Sequence, residues 1–221
     1  MIFTYFLLSF ALLFNTKDSN DIYIENETSN IIQLTKNGNF EKGFIVENGD
    51  TIETNILKFN KQKKINPYLF CVTKDSAEVL KIYTARQIDG YAIGNEVYKS
   101  QSSCDNHFFI KLLANGKVCL FERYGIPSDR RFLYYIQLPK FTDYFIICPD
   151  GQNVNATIVP PDKYSPGIVN IDSKSIPEKF KLFVKNYLGD CVIVSNRVQS
   201  DFYTINDIPL IVEKYNECKN E

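Results

Sequence analysis

The stretch His107-Phe-Phe-Ile-Lys-Leu-Leu-Ala114, Asn115-Gly116, Lys117-Val-Cys-Leu-Phe-Glu-Arg-Tyr124 sets the fold class of this chain. Asn-Gly suits a two-residue type I′ loop, because both loop positions need positive φ. A loop of that length puts Leu113 across from Val118, Leu112 across from Cys119 and Ile110 across from Phe121. Side chains alternate between the faces of a strand, so Phe108, Ile110, Leu112, Cys119 and Phe121 share one apolar side suited to burial.

The same dipeptide recurs upstream. Asn37-Gly38 separates Ile31–Lys36 from Asn39–Glu47, and Asn48-Gly49 separates that segment from Asp50–Phe59, which predicts a three-stranded antiparallel meander. Downstream, Phe132–Leu138 and Tyr144–Cys148 read as another hairpin, and Pro149-Asp150-Gly151 turns the chain into Val154–Val159. Between meander and hairpin, Asp75-Ser76-Ala77-Glu78 has the form of a helix cap, but Val79, Lys81, Ile82 and Thr84 fit a strand, and the strand is the preferred reading. Pro160, Pro161, Ser165, Pro166 and Gly167 punctuate a loop and mark the internal boundary.

The C-terminal part changes period. Ser175-Ile176-Pro177-Glu178 carries a capping residue, an early proline and a capping-box glutamate. Ile176, Phe180, Phe183, Val184, Tyr187 and Leu188 then recur at helical spacing, and Gly189 supplies the stop. A second helix starts at Asp207-Ile208-Pro209 and aligns Ile208, Ile211, Val212 and Tyr215. Between them, Cys191–Ser195 and Val198–Ile205 read as a hairpin around Asn196-Arg197. The expected class is therefore α+β: mostly antiparallel β, hairpins and a meander, with two C-terminal helices flanking a hairpin. The expected organisation is a signal peptide over 1–16, an antiparallel β body over 17–159 and an α+β segment over 160–221 packed on the body as one domain.

Met1–Phe14 is apolar with no charge before Lys17, too short for a membrane-spanning helix of roughly 20 residues and suited to a secretory leader. No Lys or Arg precedes it and no Ala-x-Ala site follows. Six cysteines, Cys71, Cys104, Cys119, Cys148, Cys191 and Cys218, lie beyond it, an even number that suits three bridges in an oxidising compartment. Cys191 opens the segment after the first helix and Cys218 ends the second, near the apolar stripe. A bridge between them is expected, closing about 28 residues and contributing roughly 3 kcal/mol by restricting the unfolded chain. Asn26-Glu27-Thr28 and Asn155-Ala156-Thr157 are sequons, making Asn26 and Asn155 the candidate glycosylation sites.

Formal net charge is −1 with both signs dispersed, which argues against a dedicated nucleic-acid surface. The single histidine, His107, stands beside Asp105 and Asn106, but neighbours on a strand face opposite ways and form no triad. No C-x-x-C pair, P-loop, dinucleotide-binding glycine fingerprint, H-E-x-x-H or EF-hand loop is present. Glu122 beside Arg123, and Asp129 beside Arg130 and Arg131, read as solvated charge. Lys58, Lys61, Lys63 and Lys64 form a basic cluster whose possible targets are a sulfated glycan or an anionic membrane, though lysines guarding a sheet edge are commoner. Tyr124, Phe132, Tyr134, Tyr135, Phe141, Tyr144 and Phe145 crowd one region, either as a tyrosine-rich interface or as a sheet with both faces covered, the second being the preferred reading.

The function expected from these residues is a secreted, non-enzymatic protein that binds an extracellular protein, glycan or apolar ligand, without catalytic residues, metal or cofactor. It has no nucleic-acid partner and no membrane span once the leader is removed. The alternatives are a secreted hydrolase using carboxylate chemistry and a carrier of a small apolar ligand in a barrel or cup.

Overall fold

A computed structural model describes residues 31, 35, 38–58, 66–103, 106–126, 129–138, 145–147 and 176–218. The leader, Asn26, Asn155, the strand expected over Val154–Val159 and the loop at 160–167 lie outside the described residues. The fold is α+β and mostly antiparallel. Its strands are β1 (Phe40–Glu47), β2 (Asp50–Leu57), β3 (Phe70–Lys74), β4 (Leu80–Thr84), β5 (Gly90–Ile93), β6 (Glu96–Ser103), β7 (Asn106–Ala114), β8 (Cys119–Ile126), β9 (Asp129–Gln137) and β10 (Phe145–Ile147). Helices α1 (Ile176–Tyr187), α2 (Val192–Gln199) and α3 (Ile208–Glu217) follow. The sheet order is β10-β9-β8-β7-β6-β5-β1-β2-β3-β4, and every pairing is antiparallel.

Asn48-Gly49 makes the two-residue loop expected of it, with φ of 53° and 84° and Glu47 opposite Asp50. Asn37-Gly38 does not. Ile31 and Thr35 are helical, and the Gly38 N–H donates to Thr35 O at 3.0 Å, so the described residues of Ile31–Lys36 do not form the expected first strand of the meander. Its place beside β1 is taken by β5, which pairs Tyr91 with Ile45. After β3, Asp75 turns the chain rather than capping a helix. Its Oδ1 accepts from the N–H groups of Ala77 and Val79, both at 2.9 Å, and β4 follows as the preferred strand.

The Asn115 hairpin forms with a different register. Leu112 lies across from Phe121 rather than Cys119, Lys111 lies across from Glu122, and the ladder is irregular at Ala114. A slip of two residues preserves the face of every side chain, since the strand period is two. Phe108, Ile110 and Phe121 are therefore buried on one side as expected, with Leu112 and Cys119 half-buried beside them. The longer loop has a cause. Asn216 of α3 clamps Val118 like a neighbouring strand: its Oδ1 accepts from Val118 N–H and its Nδ2 donates to Val118 O, both at 2.9 Å. Gly116 is outside the positive φ region and is required instead by proximity, because a Cβ there would sit 2.7 Å from Asn216 Cγ.

The sheet is rolled. The Phe109 N–H donates to Tyr68 O at 2.7 Å, bringing the start of β3 against β7 across the sheet. Strands β3-β2-β1-β5-β6-β7 thereby enclose one core, to which each contributes from the same face: Cys71, Ile56, Ile45, Tyr91 and Ile93, Tyr98, and Phe109. The opposite face of β2 and β3, with Leu57, Phe70 and Val72, packs against Phe108, Ile110, Phe121, Leu133 and Tyr135 of β7 to β9. Arg123, read as solvated, is only 2 % exposed in this region. Its guanidinium lies 4.7 Å from the Phe108 ring centre, and its Nε donates to Tyr135 Oη at 3.0 Å.

Where the roll ends, helices cover the sheet. Phe180, Phe183 and Val184 of α1, Leu188 just after it, and Ile208, Ile211, Val212 and Tyr215 of α3 pack on Val118, Leu120, Tyr134, Ile136 and Ile147. Each such side chain contributes roughly 1.5–3 kcal/mol when fully buried. The hairpin expected between the helices is instead α2. Its β-branched residues suggested strand, but Cys191, Val194 and Val198 recur at spacings of three and four and bury together, so packing overrides propensity. Cys191 and Cys218 form the expected disulfide, joining the start of α2 to the end of α3. Cys71 and Cys119 are unbridged, so the three-bridge scheme fails for them, and Cys104 and Cys148 lie outside the described residues.

The Asn216 clamp makes a coupling prediction. Asn216→Ala should destabilise by about 1–3 kcal/mol, since Val118 loses both partners. Gly116→Ala should lower stability by about 1–3 kcal/mol by overpacking, and most of that loss should vanish in the Asn216→Ala background. Urea unfolding of the double-mutant cycle checks this; strictly additive effects would contradict the clamp.

Candidate functional site

Residues directly opposite one another on neighbouring strands point to the same side of a sheet. The pairings place Ile52, Ile45, Tyr91, Tyr98, Lys111, Glu122, Tyr134 and Ile147 in one transverse row across eight strands. The row is apolar at both ends and polar in the middle. Lys111 and Glu122 lie between the rolled core and the core beneath the helices.

Tyr68, in the turn that closes the roll, lies over this polar middle. Its ring is edge-on to Tyr98 with centroids 6.2 Å apart, and its hydroxyl donates to Glu122 Oε1 at 3.4 Å. Tyr98 stacks on Tyr91 at 4.4 Å and donates to Glu96 Oε2 at 3.2 Å, while Lys111 pairs with the other Glu96 oxygen. Tyr91 donates to Pro67 O at 2.8 Å. Burial first, and nearby glutamate charge second, hold the Tyr68 and Tyr98 phenols well above the ordinary tyrosine range. Burial likewise pushes the Cys71 thiol up. The phenols at this end are thus neutral donors at physiological pH, and both glutamates accept from donors of the protein itself. That is the arrangement of a structural polar network.

The opposite end of the roll is different. Beyond Asn55, the β1–β2 hairpin has no described pairing with β3 and leans past the turn between β3 and β4. An open groove of about 670 Å³ results, lined among others by Lys42, Phe44, Ile52, Glu53, Asn55 and Tyr83. Lys74, Asp75 and Lys81 complete its walls. Phe44 is 39 % and Ile52 43 % exposed. Lys74 has partners, pairing with Glu78 and lying 5.6 Å from the Phe40 ring centre. Asp75 is held in its turn. Among the described residues, Lys42, Lys81 and Glu53 enter no ion pair, and the side chains of Asn55 and Tyr83 make no hydrogen bond.

The residues singled out in the sequence lie elsewhere. His107 is on β7 opposite Ser102, and among the described residues no group of three His, Cys, Asp or Glu side chains is placed to hold a metal. Lys58 pairs with Glu41 at 2.9 Å, and Lys61, Lys63 and Lys64 are outside the described residues. In the aromatic region Tyr134 and Tyr135 are buried on opposite faces, Phe132 is half-buried and Tyr124 is exposed, while Phe141 and Tyr144 are outside the described residues. Both faces of this part of the sheet are covered. Among the described residues no helix is long and apolar enough to cross a membrane. Comparison with protein-family models, curated proteins and solved structures finds no match.

The buried phenols fix the alkaline behaviour. Their folded pKa values exceed the unfolded value near 10, so the stability they contribute is complete below about pH 10 and falls as pH rises above it. Tyr215, buried and hydrogen-bonded to Asp190, is pushed up to about 12 and sets a window of loss from roughly pH 10 to 12. Urea midpoints should fall steeply across that window and less steeply in Tyr68→Phe. An unchanged midpoint up to about pH 12 would contradict the assignment.

Proposed function

We propose that the protein is a secreted, non-enzymatic binding protein that takes its ligand in the groove between the β1–β2 hairpin and β3–β4. The observation that carries this reading is a contrast between the two ends of the roll. At the Tyr68 end the glutamates, the phenols of Tyr68 and Tyr98, and Lys111 engage one another. In the groove, by contrast, the ammonium of Lys81 and the phenol of Tyr83 share the sheet face of Ile52 and have no hydrogen bond or ion pair among the described residues. Ligand sites combine concavity of roughly 300–1,000 Å³, apolar lining and a few convergent polar groups, and the groove has all three.

Secretion is supported by the apolar leader and by the Cys191–Cys218 disulfide. Carriage of an apolar molecule inside the roll is disfavoured, because Ile45, Ile56, Cys71, Tyr91 and Phe109 fill it and are buried. Hydrolysis by Glu96 and Glu122 is disfavoured by the donors that already occupy their oxygens.

Heteronuclear NMR of the secreted protein with mixtures of sugars, amino acids, short peptides and fatty acids tests the proposal. At least one mixture should shift the amides of Gly43, Thr54 and Thr73, and Ile52→Glu should weaken that binding by about tenfold while leaving the fold intact. Shifts confined to the helical face, or none at all, would overturn it.

A further inference from the structure

Resting on the groove reading, we propose that the occupant is an extended basic peptide that adds to β2 as a further strand. Its backbone bonds to Thr51 and Glu53, and its basic side chains stand against Glu53 and Asp50. Strand β2 pairs with β1 along its whole length, but with β3 only at Asn55 and Ile56. Residues 50–54 are therefore an open strand edge, and Glu53 of that edge lines the groove.

The hydrogen-bond phase of the hairpin shows which groups this edge presents. Bonded and non-bonded pairs alternate along an antiparallel ladder. The Lys58 N–H donates to Asn39 O at 2.8 Å, so the bonded pairs are every second pair from there, including Ile45–Ile52 and Glu47–Asp50. Val46 agrees, since its carbonyl is turned from β2 and accepts from Asp89 N–H at 2.7 Å. Thr51, Glu53 and Asn55 thus aim their N–H and C=O groups away from β1. Asn55 meets Lys74 of β3, while the backbone groups of Thr51 and Glu53 have no partner on that side among the described residues. Two donors and two acceptors, in pairs roughly 7 Å apart, are the complement of another extended backbone. Past Lys74 the chain turns off through Asp75. A strand running in the direction of β3, beside Thr51 and Glu53, continues the antiparallel ladder in phase.

Side chains select the sequence of that strand. Asp50 and Glu53 are the charged residues of the open stretch, both acidic, and neither enters an ion pair among the described residues. The neighbouring lysines do not offset them. Lys74 faces Glu78, Lys42 stands on β1 behind Asn55, and Lys81 lies in the row of Thr73 and Ile56, on the opposite face from Glu53 and six residues from Asp50. An added residue opposite Glu53 shares its face with the exposed ring of Phe44, which lies directly across from Glu53. A guanidinium there meets a carboxylate and an aromatic ring. The residue opposite exposed Ile52 falls on the other face and is apolar, and the residue opposite Asp50 is again basic. Read in the direction of β3, the ligand is basic, apolar, any residue, basic. The same two acids repel a second copy of this edge.

The test uses the whole secreted protein at low salt and three pools of blocked hexapeptides. The basic pool has arginine at its second and fifth positions and Val, Ile, Leu or Phe at its third. The acidic pool has glutamate in place of arginine, and the last pool is the basic one N-methylated at the second and fourth residues. Titration followed by amide NMR should show the basic pool binding, and the other two weaker by about tenfold or more. In the bound state the Thr51 and Glu53 amides should exchange about tenfold more slowly, with the Ile52 amide, already bonded to Ile45, unchanged. Thr51→Pro removes one outward donor without touching a bond to β1. That variant, and separately Asp50→Asn with Glu53→Gln, should each weaken binding by about tenfold with unchanged thermal midpoints. No binding of the basic pool, equal binding of either other pool, or binding without protection of Thr51 and Glu53 overturns the inference. If the groove amides still answer other mixtures, the binding-protein reading survives that result; if they answer nothing, both fall.

Discussion

One hydrogen bond joins two parts of the chain that are remote in sequence and holds the architecture in its rolled form: Phe109 N–H to Tyr68 O. An antiparallel sheet left open exposes its edge strands and one face. Drawing the start of β3 onto β7 turns one face inward, where Ile45, Ile56, Cys71, Tyr91 and Phe109 bury each other. It also brings Phe70 and Val72 against Phe108 and Ile110 on the other face. Tyr68 is carried with it, and its hydroxyl meets Glu122 in the polar middle of the transverse row. Closure at this end leaves the far end open, where the β1–β2 hairpin runs past β3 and the groove forms.

A second constraint fixes the helical layer. The disulfide holds the end of α3 to the start of α2, and the last turn of α3 grips the loop between β7 and β8 through Asn216. Lys117 donates to the carbonyl of Cys218 and lies 5.8 Å from the Tyr215 ring centre, adding contacts from the loop side. The helices therefore act as a lid on β8 to β10, distant in the sheet order from the β1–β4 groove. At the seam Glu96, Glu122, Lys111 and the phenols of Tyr68 and Tyr98 engage one another, whereas Lys81 and Tyr83 of the groove have no hydrogen bond or ion pair among the described residues.

Much of the local structure was legible because local chemistry determines it. Asn48-Gly49 needs positive φ and has it, and α1 and α3 follow their apolar spacing. The apolar face of the Asn115 hairpin was read correctly despite a register two residues off, because the period of a strand forgives an even slip. Failures came where a partner remote in sequence decides. Asn37-Gly38 carries the same dipeptide as Asn48-Gly49, yet the β1 edge is taken by β5. Val192–Gln199 has strand-like residues, yet Cys191, Val194 and Val198 need a helix to face the same core. Gly94-Asn95, which turns β5 into β6 with Gly94 at φ 56°, was a readable signal that was missed. The groove was not legible at all: Ile52, Thr73 and Lys81 sit on three strands, and only their register puts them on one face.

Native-state hydrogen exchange at the Phe109 amide tests the closed roll most directly. If Tyr68 O accepts from this amide in a closed sheet, its exchange should require global unfolding, and its opening free energy should equal that from urea denaturation. Exchange at the rate of a frayed edge amide, with Tyr91 and Ile110 still protected, would show an open sheet and contradict the account.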